Sequence, residues 1–324
     1  MWQALLVCCA FTGDAPEVQT QFQQLHPCPV ASGPIMPAEK DFQRTPGQAR
    51  AVVLLHGCHP SFTDFKARAP KTESWQRPDS CVVSYLGECA DVYAFRYGQN
   101  ATVDQIAHLP ALRAGIKRLK QLGYRELVLL GHSAGGVVAR QFVEDYPDAG
   151  VTKVVQVCAP NGGSRWADLA KFAKVPLVPN PAQRPFIYSL TVEEREKAMA
   201  ARQSKKVPAS VQFVCVIGSE DWVVSRANQW TPDLKAQGVP SVVLRVAHES
   251  AMYGADNARR LCDLVKANHL RAGLQEIQTV SASSEELPSL SPPPEEVSLV
   301  LPREEVNRLL PINRQRNPLR SPGK

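Results

Sequence analysis

The residues best suited to chemistry are Gly131-His132-Ser133-Ala134-Gly135. They lie between an apolar run, Leu127 to Leu130, and a stretch that reads as helix up to Phe142 and Val143. The apolar run predicts a buried strand. Gly-x-Ser-x-Gly at a strand-to-helix turn holds its serine above the sheet, on a turn so tight that only small neighbours fit. Gly131 and Gly135 lack the Cβ atoms that would collide there, and Gly136 lets the helix pack closely on neighbouring strands. A serine hydroxyl is a weak nucleophile at neutral pH and needs a base to take its proton. That base in turn needs an acid to hold its tautomer and stabilise its charged form.

Of the candidate bases, His248 stands just past a short apolar run, Val242 to Val246, interrupted by Arg245. His269 follows a helix and is expected at the surface, while His56 and His59 fall where a substrate must approach. His132 should point away from Ser133. The base must come within about 2.6–3.2 Å of the serine oxygen, which favours His248. For the acid, Glu220 and Asp221 both follow the apolar run Val211 to Ile217.

These residues need a sheet to carry them. Residues 51–55 are continuously apolar, as in a central strand covered on both faces. Strand-like runs follow at 79–86 and 91–98, with a helix over 103–122 that Pro110 either kinks or begins and that Gly123 stops. After the serine turn come a strand at 151–160, a strand at 210–217, a helix-like stretch to Gln237, a last strand at 241–246 and a helix at 255–267. Residues 165–207 break this rhythm. Their apolar stripe, Trp166, Leu169, Phe172 and Val175, either lines a pocket or seats the insertion on the core. Alternation of apolar runs with helical segments predicts an α/β protein with a mostly parallel sheet flanked by helices.

Composition narrows the class. The chain has 324 residues, 44% of them apolar and 21% charged, as in ordinary globular proteins. The formal charge is +6, without a dominant basic block, which argues against a nucleic-acid partner. The nine cysteines show no zinc spacing; a thiol-rich chain fits a reducing cytoplasm better than an oxidising compartment. Cys158 and Cys215, inside apolar runs, read as small hydrophobes. Residues 2–11 are apolar but too short to span a bilayer, so no integral membrane segment is expected. They could instead form an edge strand or a weak targeting segment. From residue 278 the chain turns Ser-, Glu- and Pro-rich and then basic, which reads as a disordered tail, a candidate for binding an unknown partner.

Taken together, Ser133, Asp221 and His248, in that order and each after a strand, resemble the catalytic triad of serine esterases and lipases of the α/β-hydrolase superfamily. The resemblance covers roughly residues 50–270. Gly218-Ser-Glu-Asp221-Trp-Val-Val224 resembles the turn that presents the triad acid, with Glu220 the nearby alternative. His56-Gly57-Cys58 resembles the oxyanion loop, which implies that the backbone N–H groups of Cys58 and Ala134 receive the oxyanion. Pro160-Asn-Gly-Gly-Ser164 resembles a turn of bacterial and plant lipases, although locally it reads equally well as a loop and helix cap. This resemblance implies an α/β-hydrolase domain at 49–277 with a small cap insertion at 165–207; composition adds an irregular arm at 1–48, Gln- and Pro-rich and without period, and the disordered tail at 278–324. The resemblance also implies cleavage of a small-molecule or lipid ester through an acyl-serine intermediate, with no cofactor and no metal. Amidase, peptidase or thioesterase activity with the same triad is the alternative, and a non-catalytic binding module on the same fold is a further one.

Overall fold

The apolar runs become one seven-stranded sheet in a computed structural model that describes residues 17–26, 42–59, 63–172, 180–268 and 270. The strands are β1 (Thr20–Leu25), β2 (Arg50–Leu55), β3 (Asp91–Tyr97), β4 (Glu126–His132), β5 (Lys153–Val157), β6 (Gln212–Gly218) and β7 (Ser241–Leu244). Their order is β1-β3-β2-β4-β5-β6-β7, with β1 antiparallel to β3 and every other pair parallel. The helices are α1 (Asp64–Arg68), α2 (Cys81–Gly87), α3 (Val103–Ala107), α4 (Pro110–Gln121), α5 (Ala134–Asp145), α6 (Arg165–Phe172), α7 (Arg184–Tyr188), α8 (Val192–Ala201), α9 (Arg226–Gln229), α10 (Pro232–Ala236) and α11 (Ala255–Lys266).

Continuous apolar strands are the signature of a sheet covered on both faces, and the core divides accordingly. Val53, Leu55, Leu127 and Leu129 pack with Leu112 and Ile116 of α4 and Val137 and Phe142 of α5. The alternate residues Val52, Leu54, Val128 and Leu130 pack with Val83 and Leu86 of α2 and Leu261 and Val265 of α11. Each such fully buried side chain contributes roughly 1.5–3 kcal/mol. Strands β3 and β4 lie on opposite sides of β2, so the chain reverses direction across the sheet at that point. The crevice opened by such a reversal, at the carboxyl ends of the strands, is where α/β sheets place their ligands.

Three expectations change. The apolar run at 79–86 is not a strand but helix α2, because Ser80 caps it: its Oγ accepts from the Val83 N–H at 3.1 Å. The segment before residue 48 is not wholly irregular, since β1 adds an edge strand whose Phe22 packs against Phe42, Tyr93 and Phe95. The helix over 103–122 is two helices, and Pro110 opens the second one at its first turn, where a missing N–H costs nothing. Residues 1–16, His269 and the tail from 278 lie outside the described residues. Among the described residues no helix is long and apolar enough to cross a membrane.

Candidate active site

Ser133 stands between β4 and α5 with φ 52° and ψ −126°. Only one other non-glycine residue among those described has a positive φ: Cys158, at the end of the adjacent strand β5. Strained backbone of this kind persists only where the surroundings over-determine it. Here the surroundings are backbone. A Cβ on Gly131 would strike the carbonyl of Gly135, and one on Gly135 would strike the carbonyl of Leu55.

Facing Ser133 is His248, beyond the end of β7. Its Nε2 lies 2.9 Å from Ser133 Oγ, and its Nδ1 lies 2.7 Å from Asp221 Oδ2. A carboxylate accepts only, so Nδ1 carries the proton and Nε2 is the acceptor left for the serine hydroxyl. Both side chains are removed from water, at 5% exposure for His248 and 0% for Asp221. Asp221 is held by its own turn: Oδ1 accepts from the N–H groups of Val223 and Val224, both at 2.9 Å, and Oδ2 accepts from Gln229 Nε2 at 3.1 Å. Glu220, the alternative acid, turns outward and pairs with the exposed Arg245 at 2.7 Å. The structure therefore brings Ser133, Asp221 and His248 together and leaves Glu220 apart.

The Cys58 side approaches from the end of β2. A Cβ on Gly57 would come within 2.8 Å of Ser133 Cβ, so this loop abuts the serine. Its backbone is tied inward. The Gly57 carbonyl accepts from His56 Nδ1 at 3.0 Å and from Gln99 Nε2 at 2.7 Å. His56 Nε2 accepts from the Tyr97 N–H at 3.3 Å, and Tyr97 donates its hydroxyl to the His56 carbonyl at 2.5 Å. Among the described residues neither the Cys58 nor the Ala134 N–H has an acceptor. The Cys58 thiol is pushed up to about 12 by burial, which keeps it protonated.

Two buried residues have contacts here that the sequence does not assign to them. His132 donates from Nε2 to the His248 carbonyl at 3.0 Å, edge-on to Trp75. Burial, with His248 alongside, lowers its pKa to about 3, so it holds the His248 backbone as a neutral donor. Cys158 lies beside Asp221, and burial followed by the carboxylate's charge raises its thiol well above the ordinary range. Cys158, Asp221 and His248 present ligand-type atoms within 4.8 Å of one another. The direct Asp221–His248 hydrogen bond accounts for the closeness of those two groups.

The insertion at 165–207 is seated on the body by Phe186 and Ile187 of α7, both fully buried. Ser164 Oγ ties the start of α6 to the Asp221 turn by donating to the Val223 carbonyl at 2.8 Å. The expected stripe divides: Trp166 packs partly on the core and Leu169 is 69% exposed. Val175 lies outside the described residues, as does the Phe172 side chain.

The Alpha/beta hydrolase family model matches residues 52–296. The mature form of the lipase BlEst2 from Bacillus licheniformis is similar in structure, with a TM-score of 0.53 and 14% identity over 78% of this chain and 99% of that one. Its propeptide form gives a TM-score of 0.53 and 13% identity over 79% of this chain and 55% of that one. At these identities the likeness concerns the fold. A comparison with curated proteins by sequence gives no match.

Proposed function

The chain belongs to the alpha/beta hydrolase family, and from that premise we propose that it is a serine hydrolase that cleaves carboxylic esters through an acyl-serine intermediate. The observation that carries this reading is the continuous relay from Ser133 Oγ through His248, 2.9 Å on one side and 2.7 Å on the other. His248 Nε2 takes the hydroxyl proton as Oγ attacks the ester carbonyl. Asp221 holds Nδ1–H and offsets the charge on the imidazolium. The N–H groups of Cys58 and Ala134 receive the oxyanion. Collapse expels the alcohol, which takes the proton from His248, and a water activated by the same imidazole then frees the acid. None of these steps needs a metal or an organic cofactor.

Support for an apolar ester comes from the rim. Trp222, next to Asp221, is 75% exposed, and Leu169 is also exposed. Trp222 follows β6 and Leu169 follows β5, strands that run parallel to β4, so both leave the end of the sheet at which Ser133 stands and would offer apolar surface there to a small-molecule or lipid ester. The test compares matched p-nitrophenyl esters, p-nitroanilides and acyl thioesters. An ester preference in kcat/KM of at least about a hundredfold is expected. Preference for the anilide or the thioester would move the enzyme to amide or thioester chemistry, and no turnover of any of them would favour a binding module.

A further inference from the structure

On the sheet face away from α5, helices α2 and α11 pack together and bring two thiols into contact. Cys89, just after α2, has its Sγ 3.5 Å from Cys262 Sγ in the middle of α11. The two positions are 173 residues apart in sequence. Cys89 is half-buried and reachable, whereas Cys262 is 1% exposed and donates its thiol to the Tyr85 carbonyl at 3.2 Å. Lys266, one helical turn along α11, faces the Cys262 sulfur.

We propose that Cys89 and Cys262 are a reversible dithiol–disulfide pair that staples α11 to α2. A bond needs the sulfurs to close to about 2.05 Å, a movement of roughly 1.5 Å that side-chain rotation can supply. The oxidant is a low-molecular-weight disulfide. The Cys89 thiolate attacks one of its sulfurs, releasing one small thiolate and leaving a mixed disulfide. Cys262 then loses its proton to solvent beside the Lys266 ammonium and attacks the Cys89 sulfur, releasing the second small thiol. Two protein thiols are oxidised and one small disulfide is reduced to two thiols. The accessible cysteine begins the exchange and the buried one completes it, so neither remains capped.

The bond would close a long loop in the unfolded chain, and it would fix the helix that follows the His248 turn. The full-length protein, incubated with oxidised glutathione, should lose two titratable thiols and yield one cross-linked peptide joining Cys89 to Cys262. Its Tm should rise by roughly 10 °C over the reduced form and return with dithiothreitol. Neither the cross-link nor that rise should appear in Cys89→Ser or in Cys262→Ala. The first variant alters a half-buried position, so it keeps the test valid if the second folds poorly. Stable glutathione adducts on Cys89 without a cross-link would overturn the proposal. So would a cross-link to another cysteine, or an oxidised Tm equal to the reduced one.

Discussion

Helix α5 has a crowded polar cluster at each end, and the two are built for different purposes. At its C-terminal end Arg140 pairs with Glu144 at 2.7 Å and with Asp233, while Arg202 pairs with Glu144 at 2.9 Å and with Asp145 at 2.8 Å. A cavity of about 560 Å³ opens there, lined by Arg140, Arg195 and Arg202 among others. At the N-terminal end stand Ser133, His248 and Asp221, with a strained serine backbone and two N–H groups that have no acceptor among the described residues. The C-terminal cluster carries more charges, yet they are spent on one another. Of the two ends, it is the N-terminal one that sets a serine hydroxyl beside a histidine nitrogen.

Changing the acid should have the largest effect. Asp221→Asn should lower kcat by about 10³–10⁴-fold, since the imidazole would then be held in the wrong tautomer, whereas Glu220→Gln should stay within about threefold. Steady-state rates on one ester decide it; the reverse pattern would make Glu220 the acid. Next in size is the other end of the helix. Arg140→Met should cost about 3 kcal/mol in chemical denaturation by stripping a partner from the buried Glu144, with the rate per folded molecule unchanged. A large loss of rate at full stability would tie that cluster to the chemistry.

Acid should act on the N-terminal end through its buried imidazoles. His132 and His56 have pKa values lowered to about 3 and about 4, burial being the main cause. In the unfolded chain both take up protons near the ordinary value of 6.5, so the unfolded state binds more protons as pH falls below it. Stability complete above pH 6.5 should therefore drop by about 2 kcal/mol per histidine by pH 5. Melting between pH 7 and pH 5 checks this, and His132→Gln should flatten the slope. The smallest effect is expected in rate: because His132 only holds the His248 carbonyl, His132→Gln should keep kcat within about tenfold and His132→Leu should lose more. Equal rates in the two variants would remove that positioning role.

Much of the frame was legible because it rests on local chemistry. The run into Gly131 and Gly135 required a strand, a tight turn and a helix, and the structure has all three. Pro110 and Gly123 bounded their helix for the same reason. Other features depend on contacts distant in sequence. Residues 79–86 are apolar enough for a strand, and Ser80 tips them into helix against a neighbour, α11, that appears much later in the chain. Strand β1 is polar by sequence and becomes a strand only because β3 offers it an edge. His132 was legible only as a neighbour of Ser133 that points away from it, and Cys158 only as a small hydrophobe, since their contacts with His248 and Asp221 arise from where the ends of β6 and β7 fall.

Covalent labelling decides whether Ser133 is the nucleophile. A fluorophosphonate probe, followed by peptide mass spectrometry, should place a single adduct on Ser133. Labelling should vanish in Ser133→Ala and slow by at least about a hundredfold in His248→Gln. An adduct on another residue, or undiminished labelling of Ser133→Ala, would contradict the account.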